Sequence, residues 1–159
     1  MTNIRVESSI EIDAPIDLVW EVTTDPATFV EGIDWVYEAW REDDGPLGEG
    51  SVYYERAKPG LREDTYRWEV TACEPPNRIV HYHESGELEA ELEVLTEAID
   101  DGTTRYTQVM HFRALPAFRP LGYVLERTVM KRKMQQDFDE MILPNYKRLV
   151  EERVAVSEA

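Results

Sequence analysis

The chain has 159 residues, a length that suits one domain with a substantial apolar core. Its formal net charge of −16 repels nucleic acid and anionic membrane surfaces, so neither is expected as a partner. No apolar run is long enough for integral membrane association, and the N-terminus carries no apolar signal-peptide core. We therefore expect a single cytoplasmic domain over residues 1–159.

The acidic residues are spread along the chain instead of forming a tail, and arginine outnumbers lysine. This pattern resembles the surface of proteins from salt-loving organisms, where dense carboxylates keep a protein hydrated while salt screens their repulsion. The charge is therefore interpreted as a sign of habitat rather than as a binding surface for a basic partner. The single cysteine, Cys73, excludes an internal disulfide and a cysteine-rich metal site.

The first part of the chain predicts one strand and two short helices. Apolar and polar residues alternate over residues 4–12, as in a half-buried strand. Asp13 is the expected cap of a first helix, with Pro15 in its opening turn. Asp25 is the expected cap of a second helix, which Gly32 ends.

Six further strands are predicted, separated by turns rich in glycine, proline and aspartate. They cover residues 33–41, 51–57, 66–72, 79–84, 88–96 and 104–113. A long helix is predicted over residues 120–154, where apolar residues recur every three or four positions. Pro144 removes the hydrogen bond to the Glu140 carbonyl and is expected to kink this helix. The methionine-rich part before the kink is interpreted as a lid, and the part from Tyr146 onwards as an anchor.

This element order predicts an α+β domain. One curved antiparallel sheet of seven strands packs its concave face against the long C-terminal helix, and the two short helices lie between strands one and two. Four stretches also carry a family resemblance. They are residues 6–15 followed by Leu18-Val19-Trp20, the Asp25-Pro26 helix start, the Trp68-Glu69-Val70 strand and the Glu74-Pro75-Pro76-Asn77-Arg78 turn. They resemble the START and birch-pollen-allergen-like (SRPBCC) superfamily, and within it the polyketide cyclase/dehydrase-like branch.

The resemblance covers nearly the whole chain and implies the helix-grip fold, with a ligand cavity between the sheet and the last helix. Such pockets are mostly apolar, with a few polar groups that orient the ligand. The candidate cavity residues are aromatic, polar or apolar side chains of the sheet and the long helix: Tyr54, Tyr66, Trp68, His81, His83, Leu92, Tyr106, Gln108, Met110, Leu125, Met134, Phe138 and Met141.

No catalytic residue is assigned from the sequence. Acid–base chemistry would need an inward carboxylate or histidine, and the strand register allows Glu55, Glu69 and Glu84. Whether His81 or Tyr82 points inward from the fifth strand stays open, because the alternation of that strand fits both registers.

Neither a metal nor another cofactor is predicted. His81 and His83 share one strand face, but His111 lies on the seventh strand, two strands away in the family's order. Its alternation also places it opposite Gln108, so the three imidazoles would not converge at the roughly 2 Å that zinc requires. Cys73 has no evident base partner, which argues against a nucleophile.

Two charged clusters receive structural interpretations. The alternate glutamates of residues 87–93 are read as a solvated outer sheet face. The basic residues 131–133 are expected to be balanced by acids three or four positions away on the helix.

The leading hypothesis is a protein, monomeric or homodimeric, that binds an apolar, lipid- or polyketide-like small molecule in this cavity. The first alternative is a polyketide cyclase/aromatase-type enzyme that moves protons in the cavity. The second alternative is a protein-interaction module whose cavity is incidental. The fold leaves the choice open, since the superfamily includes carriers, ligand-binding proteins and enzymes.

Overall fold

Seven antiparallel strands form one sheet in the computed structural model, which describes residues 4–59, 63–85, 88–114 and 129–158. Their bounds are β1 Ile4–Ile12, β2 Val36–Arg41, β3 Val52–Ala57, β4 Asp64–Glu74, β5 Arg78–Glu84, β6 Leu88–Asp100 and β7 Thr103–Ala114. The order across the sheet is β1-β7-β6-β5-β4-β3-β2, so the strands from β2 to β7 neighbour each other in chain order. The predicted seven-stranded sheet is confirmed.

Two short helices connect β1 to β2, as predicted. Helix α1 spans Ile16–Thr23 and helix α2 spans Pro26–Gly32. The Asp25 side chain caps α2, because its Oδ1 accepts the Ala27 N–H at 3.0 Å. The short polar run before α2 therefore starts the helix by the mechanism expected from the sequence.

Two local predictions in this region are wrong. The N-cap of α1 falls on Pro15, whose side chain has no hydrogen-bond acceptor, and the Asp13 N–H donates instead to Glu151 at 3.0 Å. Residues 33–35, predicted as the start of the second strand, form the turn between α2 and β2. Aromatic and β-branched residues favour strands, but these three residues are needed for the short connection between α2 and β2.

The C-terminal helix runs for 28 residues, from Lys131 to Glu158. It consists of α3 (Lys131–Asp137), a π-helical turn (Phe138–Ile142) and α4 (Leu143–Glu158). Residues 120–128, the predicted beginning of this helix, lie outside the described residues. Within the described residues, no helix has the length and apolar character needed to cross a membrane.

Pro144, the site of the predicted kink, comes directly after this π turn and Leu143. The Leu143 N–H donates to the Phe138 carbonyl, five residues back, directly before the proline that has no N–H to donate. The helix continues through Pro144, and Phe138, Ile142 and Tyr146 on both sides of it are buried in one core. Side chains before and after the proline therefore face the same interior.

Hydrogen bonds to β1 hold the helix across the concave face of the sheet. Ser8 Oγ donates to Asp139 Oδ1 at 2.5 Å, and Gln135 Nε2 donates to the Glu7 carbonyl at 2.8 Å. The buried core lies between this helix and the sheet. The sheet therefore grips the helix in the predicted helix-grip arrangement.

Candidate functional site

A cavity of about 60 Å³ lies between the sheet and the C-terminal helix. Its walls come from both short helices, five strands and the C-terminal helix: Thr23, Phe29, Ile33, Trp35, Tyr53, Glu55, Trp68, His81, Leu92, Val94, Tyr106, Gln108, Met110, Met134, Phe138, Ile142 and Tyr146. Most of these side chains are apolar or aromatic, and Thr23, Glu55, His81 and Gln108 bring polar groups among them. This combination is typical of small-molecule pockets.

The fifth strand points its histidines into the protein, which settles its register. His81 and His83 are each 3% exposed, whereas the Tyr82 hydroxyl lies on the other face and donates to Glu84 at 3.1 Å. The Tyr53 hydroxyl and His81 Nδ1 are hydrogen-bonded at 2.9 Å. Burial lowers the pKa of His81 to about 4, so its imidazole is neutral near pH 7.

Glu55 is a carboxylate that the sheet turns inward. It lies two residues after Tyr53 on β3, on the same face, and is 6% exposed. Its Oε2 accepts the Trp68 indole N–H at 3.1 Å. Burial raises the pKa of Glu55 to about 7, against the opposing effect of the Trp68 hydrogen bond. The other two acids allowed by register, Glu69 and Glu84, both reach solvent.

A second polar pair lies on β7. Gln108 Nε2 donates to the Tyr106 hydroxyl at 2.8 Å, and the Tyr106 ring centroid is 6.0 Å from that of Tyr146. Burial raises the pKa of both tyrosines, so their hydroxyls are neutral near pH 7. These groups offer hydrogen bonds to a ligand without adding charge to the cavity.

The structure brings eight of the candidate residues to the cavity wall. They are Trp68, His81, Leu92, Tyr106, Gln108, Met110, Met134 and Phe138. They come from the inward positions of β4 to β7 and from one stripe of the C-terminal helix. Strand alternation and helical spacing therefore place residues from five separate elements around one space.

Tyr54 lies on the opposite face of the sheet. Its hydroxyl donates to Glu42 at 2.7 Å, and its ring stacks on Trp40 with centroids 5.6 Å apart. Because side chains alternate along a strand, the inward orientation of Tyr53 next to it sends Tyr54 outward.

Three other candidates lie away from the cavity wall or outside the described residues. Tyr66 and His83 face each other at 5.2 Å between ring centroids, and neither lines the cavity. Met141 packs against the core beside it, where its sulfur accepts the Asp34 N–H at 3.3 Å. Leu125 lies outside the described residues.

Several wall residues were not among the candidates. Phe29 and Trp35 come from α2 and the turn after it, whose orientation the local pattern did not indicate. Tyr146 follows Phe138 and Ile142 at steps of four, so helical spacing alone was sufficient to find it. The strand register allows Glu55, Glu69 and Glu84 to point inward, and only the structure shows that Glu55 is the buried one of the three.

His111 points to the outer face of the sheet, where it lies beside Tyr82, Glu89 and Glu91. It is therefore on the opposite side from His81. In the ranges that the structure describes, no three or more His, Cys, Asp or Glu side chains are grouped to hold a metal ion.

Arginines form ion pairs with glutamates on the outer face of β6. Arg78 Nε lies 2.6 Å from Glu93 Oε2, and Arg113 pairs with Glu89. On the C-terminal helix, Lys133 Nζ lies 2.7 Å from Asp137 Oδ2, which confirms the expected pairing at a spacing of four for Lys133. These pairs are structural features of the surface rather than parts of the cavity.

Comparison with known proteins agrees with this architecture. The family model described as polyketide cyclase/dehydrase and lipid transport matches residues 3–151. No curated protein matches the chain in sequence.

Solved structures with the same fold include enzymes. Zhui aromatase/cyclase from Streptomyces sp. R1128 is 18% identical, with a TM-score of 0.75 and 96% of each chain covered. Norcoclaurine synthase from Thalictrum flavum is 12% identical, with a TM-score of 0.67, covering 96% of this chain and 98% of that one. A START superfamily protein from Mycobacterium smegmatis is 12% identical, with a TM-score of 0.59, covering 84% and 96%.

These TM-scores establish the shared fold, and the identities of 12–18% leave the chemistry open. The family match covers most of the chain, and the resemblance found in the sequence is thereby confirmed. This helix-grip chain belongs to the polyketide cyclase/dehydrase and lipid transport family.

Proposed function

We propose that this protein binds a hydrophobic or aromatic small molecule, lipid- or polyketide-like, between its sheet and its C-terminal helix. The observation that carries the proposal is the lining of the cavity, in which apolar and aromatic walls surround a few fixed polar groups. Membership of a family described by polyketide chemistry and lipid transport supports the same class of ligand.

The cavity must widen to admit such a molecule. Its volume of about 60 Å³ is far below the roughly 300 Å³ at which pockets for drug-sized ligands begin. Met110 and Met134 line it, and methionine side chains change shape easily. Helix α3, which carries Met134, has no buried residue, whereas the π turn and α4 both have several. The α3 end of the helix therefore opens at the lower cost and acts as the lid.

A matched pair of variants on β6 tests the location of binding. Leu92→Trp fills the cavity, while Leu95→Trp adds the same bulk to the outer face of the same strand. Nile red, a neutral dye that fluoresces in apolar surroundings, is expected to respond to the wild type and to Leu95→Trp but to lose most of its signal with Leu92→Trp. Equal signals from both variants would place dye binding outside the cavity and remove support for the proposal.

The second candidate is a cyclase/aromatase-type enzyme, favoured by the inward cluster of Glu55, His81 and Tyr53. A carboxyl group with a pKa of about 7 can accept and donate protons near neutral pH. Aldol and dehydration steps need proton transfers of this kind. The neutral His81–Tyr53 pair supplies hydrogen bonding beside it.

Deuterium exchange tests this second candidate. The α-hydrogens of 4-phenyl-2-butanone in D₂O, followed by proton NMR, are expected to exchange faster with wild-type protein than with Glu55→Gln. Glu91→Gln, which removes an exposed acid from β6, serves as the control. Equal rates with Glu55→Gln and the wild type would argue against Glu55 as a base and leave the binding proposal intact.

A further inference from the structure

We propose that the ligand of this cavity is a hydrophobic amine, whose ammonium group pairs with the Glu55 carboxylate. This inference rests on the proposed binding function and adds the chemical class of the ligand. It starts from the placement of one acidic side chain inside a cavity walled by aromatic rings.

The charge of Glu55 has no counter-ion among the described residues that line the cavity. The wall contains no lysine or arginine, and His81, its one histidine, is neutral near pH 7. Trp68 donates a hydrogen bond to Glu55 at 3.1 Å, but an indole N–H brings no positive charge. An ionised carboxylate buried in this way is costly unless a cation joins it. A ligand ammonium group would supply that cation.

Aromatic rings around Glu55 provide the surroundings that an organic cation prefers. Seven of them line the cavity: Phe29, Trp35, Tyr53, Trp68, Tyr106, Phe138 and Tyr146. The Tyr53 and Trp68 rings are nearly parallel, with centroids 6.5 Å apart, and Phe29 meets Tyr53 edge-on at 5.4 Å. Cations are attracted to such rings within about 6 Å of the ring centre.

The size of the cavity and the charge of the molecule agree with a compact cationic head group. About 60 Å³ holds an ammonium group and a few carbon atoms before any side chain moves. The net charge of −16 raises the concentration of cations near the protein and lowers that of anions. The ligand's apolar body would extend from this head as the cavity widens.

The pH dependence separates an amine from a carbonyl ligand. Tyr53, Tyr106 and Tyr146 and the His81 imidazole stay neutral between pH 6 and 8, because burial raises the pKa of the tyrosines and lowers that of His81 to about 4. Glu55, with a pKa of about 7, is therefore the facing group that changes charge. An amine needs it ionised and binds more weakly as the pH falls, whereas a carbonyl needs it protonated and binds more tightly.

Paired probes of equal shape test the inference. We expect n-butylamine to bind more tightly than 1-butanol at pH 8, and benzylamine more tightly than benzyl alcohol. The amine affinity should fall about tenfold from pH 8 to pH 6, because the ionised fraction of Glu55 falls about tenfold over that range while an alkyl amine stays charged. Binding is followed at the Trp68 indole N–H in ¹⁵N–¹H NMR spectra, with Trp68→Phe identifying the signal.

Variants separate the cavity from the acidic surface. Glu55→Gln keeps the shape of the side chain and is expected to abolish the preference for the amines while alcohol binding persists. Glu91→Gln removes one exposed charge and is expected to keep the preference. The pH series on the wild type gives an independent answer if Glu55→Gln does not fold.

Three results would overturn the inference. Alcohols that bind as tightly as amines at pH 8 would exclude a hydrophobic amine as the ligand while sustaining the cavity as a binding site. An amine preference that survives in Glu55→Gln would place the cation on the acidic surface. Binding of neither probe would overturn both the inference and the proposed function.

Discussion

Burial of the Glu55 side chain disfavours the ionised form of its carboxyl group. Burial raises its pKa from 4.5 to about 7, so near pH 6 the folded protein holds a proton that the unfolded chain has released. The stability that depends on this proton is fully present below pH 4.5 and is lost as the pH rises through about 7. Above that pH the folded state contains a buried carboxylate.

Replacement of Glu55 by glutamine should remove this dependence. At pH 8 we expect Glu55→Gln to be more stable than the wild type by about 3 kcal/mol, and by roughly half of that at pH 5.5. Urea unfolding at the two pH values measures the difference, with Glu91→Gln as the surface control. A Glu55→Gln variant that is less stable than the wild type at pH 8 would contradict the assignment of Glu55 as a desolvated acid.

The hydroxyls of Tyr53 and Tyr54 differ in what they stabilise. The Tyr53 hydroxyl is buried against His81 Nδ1, whereas that of Tyr54 donates to the exposed Glu42. We expect Tyr53→Phe to lower the free energy of unfolding by about 1–3 kcal/mol, because a buried imidazole nitrogen loses its partner. Tyr54→Phe should change it by less than about 0.5 kcal/mol. Chemical denaturation of both variants measures the contrast, and equal losses would refute it.

The same two tyrosines show the limit of prediction from sequence. Adjacent aromatic residues in a six-residue strand fit either face. The choice depends on the pairing of β3 with β4, which sets Tyr53 opposite Trp68 and Glu55 opposite Tyr66. That pairing is a long-range property, so Tyr53 was missed whereas Trp68, with clear alternation around it, was found.

At the scale of elements, α2 and α4 approach closely at Gly32. A Cβ atom at this position would lie 2.7 Å from Cε1 and Cζ of the Tyr146 ring. Gly32 is therefore needed for the close contact between the two helices. The contact also positions Tyr146 in the cavity wall.

A methyl group at this contact should disturb the protein. We expect Gly32→Ala to lower the free energy of unfolding by about 1–3 kcal/mol, because the Tyr146 ring must move within a packed core. Gly48→Ala is the matched control, since nothing lies within 4 Å of a Cβ there. Urea denaturation of the two variants tests this, and a Gly32→Ala variant as stable as the control would show that the ring yields freely.

The elements differ in how far local pattern determines them. Alternation, strand-favouring residues and turn residues located all seven strands, although β2 begins at Val36, three residues after its predicted start, and β6 continues to Asp100, four residues beyond its predicted end. The π turn was not predictable in form, because Pro144 explains only that an N–H is missing. How the helix compensates depends on the side chains that it must bury against the sheet, such as Phe138 and Ile142.

At the scale of the whole molecule, the net charge of −16 destabilises the fold by repulsion between acidic groups. Local ion pairs such as Arg78–Glu93 oppose this effect. Exposed pairs contribute little individually. If repulsion dominates, as the salt-loving pattern predicts, salt should stabilise the fold by screening it. We expect Tm to rise when KCl is increased from about 0.1 M to about 2 M, measured by circular dichroism. A falling Tm would show that the ion pairs matter more than the net charge.

The central proposal is that the cavity between sheet and helix holds a small hydrophobic molecule, and native mass spectrometry of protein purified from its own host tests it directly. We expect an added small-molecule mass on the wild type and on Leu95→Trp, and none on Leu92→Trp. The composition of that mass would also show whether it contains an amine. A wild-type protein that carries no added mass, or a mass retained in Leu92→Trp, would contradict binding in this cavity.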